Sequence, residues 1–166
     1  MHVKNEKQRL AAFLRKFSNE MVYAKLREFR WGNLRSGKCP RCGSTAVQRD
    51  MREGVVEYYR CLSRNPAPGS NYQPHEKVVV FTVRTDTILE NSHLPLQYWA
   101  YCLALHELRC DPIQPSRLAE LLGVTRKTAT AILRRLDEAY GSSAPREAEA
   151  FLRNVGSFYA DELKQL

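Results

Sequence analysis

The stretch that decides the fold is Ser116-Arg-Leu-Ala-Glu-Leu-Leu-Gly-Val-Thr-Arg-Lys-Thr-Ala-Thr-Ala-Ile-Leu-Arg-Arg-Leu-Asp-Glu-Ala-Tyr140. Its apolar spacing predicts two short helices, over 116–122 and 125–140, joined by a tight turn. The apolar residues of the first helix share one face: Leu118, Ala119 and Leu122. Gly123 has no Cβ and therefore suits the turn, while Thr125 is placed to cap the second helix. The pattern is that of a helix-turn-helix.

The second helix separates an apolar stripe from a basic and hydroxyl-bearing face. The stripe consists of Ala129, Ile132, Leu133, Leu136 and Tyr140. In a recognition helix, the N-terminal residues meet base edges in the DNA major groove. The residues predicted to contact DNA are Arg117, Thr125, Arg126, Lys127, Thr128, Thr130 and Arg134. The alternative is an ordinary pair of amphipathic helices whose basic face is only solvated.

The chain has 166 residues, a length that suits one domain or two small ones. Charge is distributed unevenly along it. The net charge is +8, and residues 1–38 hold ten Lys and Arg against three Glu, a local balance of +7. Such an asymmetry predicts an anionic partner. No apolar run approaches the roughly 18–20 residues that span a bilayer, and the start is too polar for a signal peptide. We therefore expect a cytoplasmic, nucleoid-associated protein with no membrane partner.

Residues 5–30 predict a long basic amphipathic helix. Its apolar face holds Leu10, Phe13, Leu14, Phe17, Met21 and Ala24. Ser18 is a point at which the helix could divide into two. The helix could pack on the core with its charges in water, lie on a membrane surface, bind a partner or border DNA.

Cysteine spacing predicts a metal site after this region. Cys39-Pro-Arg-Cys42 has the two-residue gap of a zinc knuckle, and two strand-like segments, 45–49 and 55–60, lead to Cys61. This layout predicts a zinc ribbon whose zinc is structural. His75, beyond the loop 65–74, is the expected fourth ligand, although a lone loop histidine can equally be a solvent-exposed bystander. Cys102 and Cys110 lie in an apolar helix pattern and are expected to be buried thiols.

The remaining segments complete the predicted architecture. A β-branched run over 78–83 should be the last ribbon strand, and 97–108 should be a central helix. The tail from residue 145 predicts an amphipathic helix that covers the core or meets a second copy. The fold class is therefore α+β, mostly helical. A basic N-terminal helix region (1–37) precedes a zinc ribbon (38–92), a three-helix DNA-binding domain (93–142) and a C-terminal helix (143–166).

Several separate blocks of the chain resemble the bacterial insertion-sequence transposases that begin with a zinc ribbon and continue into a DDE-type nuclease. The blocks are Phe17-Ser-Asn-Glu20 with Leu26 and Arg30-Trp31, Cys39-Pro-Arg-Cys-Gly-Ser44, Phe81-Thr-Val-Arg-Thr-Asp-Thr87, Ser92-His-Leu-Pro-Leu96 with Trp99, and Leu118 to Ala129. They occur in the family's order. The resemblance implies sequence-specific binding of double-stranded DNA, since these parts of the transposases bind the terminal inverted repeats.

The chain departs from that family in three places. The second cysteine pair of the ribbon is replaced by an insertion, and Asp86 stands where a glycine is common. The 26 residues after Tyr140 are too few to build the nuclease sheet that gathers acidic metal ligands. We therefore expect no catalytic residues and no enzymatic activity.

These observations predict a transposase-derived protein that binds double-stranded DNA sequence-specifically, holds zinc and acts as a transcriptional regulator. One alternative is a truncated transposase or a subunit that delivers a catalytic partner to DNA. Another is a zinc-ribbon adaptor that contacts the transcription machinery rather than DNA. A homodimer is also compatible with the sequence.

Overall fold

The computed structural model describes residues 3–32, 37–52, 56–63, 78–108, 112–141 and 147–166. Its helices are α1 (Val3–Lys16), α2 (Asn19–Trp31), α3 (Leu96–Leu108), α4 (Pro115–Leu122), α5 (Arg126–Gly141) and α6 (Glu147–Lys164). Its strands are β1 (Val47–Arg52), β2 (Val56–Cys61) and β3 (Val80–Phe81). The predicted class, α+β and mostly helical, is confirmed.

The chain forms two compact units, one of which is built from two separate stretches of sequence. A helical unit contains Met1–Leu26 and Asn91–Leu166, and a sheet unit contains Arg27–Glu90. The division into 1–37, 38–92, 93–142 and 143–166 stays a prediction about functional regions. The N-terminal residues belong to the helical unit because α1 packs against α3 and α4.

The basic helical region predicted over 5–30 forms two helices, α1 and α2, with the break at Phe17 and Ser18, the point at which the sequence allowed a division. The Ser18 Oγ accepts a hydrogen bond from the Met21 N–H at 3.3 Å, as the cap of a new helix does. The break also changes which residues face the core. Met21, expected on the apolar face, is 53% exposed, whereas Val22 and Leu26 are buried.

Helix α3 is the centre of the helical unit. Eight of its residues are buried: Leu96, Trp99, Ala100, Tyr101, Cys102, Leu103, Ala104 and Leu105. A helix that is apolar on all sides requires neighbours on several sides. Helix α6 packs along α3. An aromatic cluster joins Phe13 of α1 and Phe17, which follows α1, to Tyr101 of α3 and Tyr159 of α6. The prediction that 97–108 is central is confirmed, and α6 covers the core of its own chain.

Helices α4 and α5 lie close to the predicted bounds and are joined by residues 123–125. Gly123 ends α4 with φ 67° and ψ 32°, a left-handed conformation that favours glycine. The apolar stripe of α5 faces the unit's interior through Ala129, Ile132, Leu136 and Ala139. The predicted stripe residues Leu133 and Tyr140 are half-buried.

The sheet unit contains one antiparallel sheet with the strand order β1-β2-β3. Tyr59 of β2 lies opposite Phe81 of β3, and both rings pack with Trp31 at centroid distances of 5.1 to 6.1 Å. The strand predicted over 78–83 is shorter, spanning Val80–Phe81. The chain turns at Thr82 because its N–H donates to Thr85 Oγ1 while its own Oγ1 accepts from the Arg84 N–H.

Candidate functional site

Three cysteines of the sheet unit converge on one point. Cys39, Cys42 and Cys61 are all buried, and their Sγ atoms all lie within 4.8 Å of one another. The Sγ atoms of Cys42 and Cys61 are 3.5 Å apart. Four-coordinate zinc with Zn–S bonds of about 2.3 Å holds its sulfurs roughly 3.8 Å apart. The three thiols are therefore spaced so that they could hold a metal ion.

Local backbone geometry explains why a sequence separation of up to 22 residues closes into this cluster. The N–H of Gly43 donates to the Cys39 carbonyl at 2.9 Å, and the Cys39 N–H donates to the Ser44 carbonyl at 2.9 Å. Gly43, directly after Cys42, has φ 68°, a conformation that favours glycine and lets the chain close this turn. The β1-β2 register then places Cys61 opposite Val47, a few residues after the turn.

Burial affects the ionisation of the cluster. Together with the neighbouring thiols of Cys42 and Cys39, it raises the pKa of Cys61 to about 12. Thiols with such values remain protonated at neutral pH. Metal coordination reverses this preference because a cation stabilises the thiolate form, and binding then releases protons. Three buried thiols of this kind could therefore hold a metal ion, with release of their protons.

The structure describes only one of the three remaining candidates, His75, Cys102 and Cys110. His75 lies outside the described residues, so its role as the fourth ligand stays a prediction. Within the part of the chain that the structure describes, the three cysteines are the one group found that could hold a metal ion. Cys102 is buried in α3, as expected, and burial raises its pKa to about 12. Cys110 also lies outside the described residues.

The predicted DNA-contacting residues on α5 and its cap share exposure to solvent. They are Thr125, Arg126, Lys127, Thr128, Thr130 and Arg134. In the described part of the chain, Arg126 and Lys127 have no ion-pair partner. Arg134 lies 3.9 Å from Glu138 one turn later, a long distance between two exposed side chains. Such a pair adds little stability and does not occupy the guanidinium.

The three threonines of this surface use their hydroxyl groups within the helix. Thr125 Oγ1 accepts a hydrogen bond from the Thr128 N–H at 3.1 Å, which confirms the predicted cap. The hydroxyls of Thr125 and Thr128 also lie 2.9 Å apart. Thr130 donates its hydroxyl proton to the Arg126 carbonyl at 2.9 Å. The hydrogen-bond donors most free to meet a ligand are therefore those of Arg126, Lys127 and Arg134.

Arg117 differs from the other predicted DNA contacts. Its guanidinium binds both carboxylate oxygens of Glu6 on α1, and Glu6 is only 3% exposed. This places Arg117 in a structural ion pair between α1 and α4, and its contact with DNA stays a prediction. Sequence patterns contain no signal for this pair because the partners are 111 residues apart.

The basic residues of α1 also have partners in the helical unit. Lys7 pairs with Glu120 of α4 at 3.0 Å, and Lys16 pairs with Glu162 of α6. Arg9 donates to the Leu163 carbonyl at 2.6 Å. Leu10, Phe13 and Phe17 of the same region are buried. Of the interpretations open at the sequence level, packing on the core is the one that the structure bears out for α1.

Comparison with known proteins does not identify a relative from which a function could be inferred. No protein-family model matches the chain, and no curated protein or solved structure shows significant similarity to it. None of the described helices is long and apolar enough to cross a membrane.

Proposed function

We propose that this protein binds double-stranded DNA sequence-specifically, with α4 and α5 as a helix-turn-helix and α5 as the recognition helix. One observation carries the proposal. The first turn and outward face of α5 expose Arg126, Lys127 and Arg134, while the opposite face is buried through Ala129, Ile132 and Leu136. A helix with one face buried in the protein and a basic face exposed to solvent suits insertion into the major groove.

The dimensions of the helix pair support this role. Helix α4 has 8 residues and α5 has 16, and the latter is about 24 Å long at 1.5 Å per residue. Only residues 123–125 separate the two helices, and the Val124 N–H donates to the Ala119 carbonyl at 3.1 Å. The turn is thus held by backbone bonds as well as by the Thr125 cap. Its short length fixes the direction of α5 relative to α4.

Helix α1 packs against α4 and holds it in position. The Arg117 and Glu6 side chains connect α4 to α1 through two hydrogen bonds, and Leu118, Leu121 and Leu122 are buried. A recognition helix discriminates between base pairs only if the scaffold holds its side chains in place. The ion pair and the buried leucines provide such a scaffold.

We further propose that the metal at Cys39, Cys42 and Cys61 is zinc and that its role is structural. Thiolates in a tetrahedral arrangement are the ligands of structural zinc sites. Bound zinc would stabilise the thiolate form of the three cysteines and cross-link the turn at 39–44 to the end of β2. A ribbon with a three-stranded sheet has a small core, so this link would contribute much of its stability.

The order of the sequence blocks supports a transposase-derived origin and a regulatory role, which we propose on that resemblance. The test of the binding function is selection of bound duplexes from a random double-stranded pool with the full chain, followed by fluorescence anisotropy over a range of salt concentrations. We expect enrichment of a defined sequence, and affinity that falls with salt as phosphate contacts release counterions. A pool that stays random after repeated selection would refute the proposal.

A further inference from the structure

The outward face of α5 is not uniformly polar. Lys127, Ala131 and Arg134 are separated by four and three residues, so they lie along one face of the helix. All three are exposed. Ala131 thus places a methyl group between two cations on the surface that the proposed function directs at DNA. A ligand that contacts this face must complement an apolar group at its centre and positive charges at both ends.

Thr130 adds to the apolar character of this centre. Its hydroxyl proton is donated to the Arg126 carbonyl at 2.9 Å, so the side chain offers a ligand its methyl group and an acceptor oxygen but no donor. Thr130 is exposed and adjacent to Ala131. The middle of the helix face therefore lacks a hydrogen-bond donor at two neighbouring positions, whereas Lys127 and Arg134 supply donors on either side.

In the major groove, one base feature is complementary to a methyl side chain, the C5 methyl group of thymine. Lysine and arginine, in contrast, favour the O6 and N7 acceptors of guanine. Lys127 and Arg134 are about 10.5 Å apart along the helix axis, which is roughly three base-pair steps. The spacing allows one or two base pairs between those that the two cations contact.

We propose that Ala131, together with the methyl group of Thr130, recognises the C5 methyl group of a thymine that lies between the base pairs contacted by Lys127 and Arg134. The inference rests on the proposed function, since it names what the recognition helix binds. It assigns specificity to a residue that has no hydrogen-bonding group. The central base pair is then selected by apolar contact, and the outer ones by charge and hydrogen bonds.

The experiment uses the duplex enriched by selection and replaces each thymine in turn with deoxyuridine, which removes only the methyl group. For the unaltered protein, we expect one position at which uracil raises Kd about three- to fivefold, as loss of one buried methyl contact does. For Ala131→Gly, uracil at that position should raise Kd less than it does for the unaltered protein, because only the methyl group of Thr130 remains. The matched control is Ala150→Gly, which places the same substitution at an exposed position of α6. This control should retain the preference for thymine, and thermal melting should show that both variants are folded.

Three results would overturn the inference. If a sequence is selected but uracil has no effect at any position, methyl recognition fails and the proposed DNA binding stands. If uracil weakens binding equally in the unaltered protein and in Ala131→Gly, another residue contacts the methyl group. If no sequence is selected at all, the proposed function fails and this inference fails with it.

Discussion

The guanidinium of Arg117 on α4 holds the carboxylate of Glu6 on α1, with Nη2 2.8 Å from Oε1 and Nε 3.0 Å from Oε2. Glu6 is almost completely buried, and Arg117 contacts both oxygens of its carboxylate. The pair connects residues 111 positions apart and joins the N-terminal helix to the helix pair that contains the proposed recognition helix.

Arg117→Ala should lower the free energy of unfolding by about 3 kcal/mol, because it removes the guanidinium that pairs with the buried Glu6 carboxylate. Urea denaturation measures this change. The control is Lys7→Ala, which removes the exposed pair with Glu120 and should cost less than about 1 kcal/mol. Equal, small effects of both substitutions would show that the buried pair does not hold α1 against α4.

Gly156→Ala should destabilise the protein although alanine is ordinarily the better helix former by about 1 kcal/mol. A Cβ at position 156 would clash with the Tyr140 hydroxyl oxygen and lie 3.0 Å from Glu107 Cγ. We expect a loss of about 1–3 kcal/mol, as in other overpacked cores. Tyr140→Phe removes the clashing oxygen, so the double variant should recover part of the loss. A more stable Gly156→Ala protein would contradict the packing of α6 against α5.

Alkaline pH should weaken the fold partly through Cys102. Burial raises the pKa of this thiol from 9.0 to about 12, so its contribution is fully present below pH 9 and is lost as pH rises through 12. Cys102→Ala removes this pH-dependent contribution to the free energy of unfolding. The unaltered protein should therefore lose roughly 1–2 kcal/mol more than the variant between pH 7 and pH 10. Parallel stability curves for the two proteins over that range would show that Cys102 does not resist ionisation.

Metal analysis should find about one zinc ion per chain, and Cys61→Ser should remove it because a thiolate ligand is lost. Cys102→Ala is the matched control, since that buried cysteine lies in the helical unit and not in the cluster. Chelation should increase hydrogen exchange in the sheet unit and leave α3 and α6 protected. Full zinc content in Cys61→Ser would exclude the three-cysteine site. His75→Ala, measured in the same way, tests the fourth ligand.

Local signals in the sequence were sufficient for α3, α4 and α5. The bounds of the helix pair followed from apolar spacing, from Gly123 and from the Thr125 cap, all of which act within a few residues. The Cys39 and Cys42 turn was predictable for the same reason. Cys61 could be added because a hairpin brings its strand back to the turn.

Features that depend on distant contacts could not be predicted. Nothing near Glu6 indicates that it pairs with Arg117, and the clash that requires Gly156 involves Tyr140 and Glu107 of other helices. The exposure of Met21 has a local cause instead, the break at Ser18, where the sequence allowed a division but did not decide it. Asp86 has φ 60°, a left-handed conformation that favours glycine and is uncommon for other residues.

The central claim is that α5 distinguishes DNA sequences through its exposed cations. The most direct measurement is the ratio of Kd for a random duplex to Kd for the selected duplex, compared between the unaltered protein and the Arg126→Ala, Lys127→Ala double variant. Lys164→Ala, which removes one charge from an exposed position of α6, is the control. We predict that the ratio falls at least about tenfold in the double variant, as the loss of base contacts requires, and stays unchanged in the control. A ratio that survives in the double variant would contradict the assignment of α5 as the recognition helix.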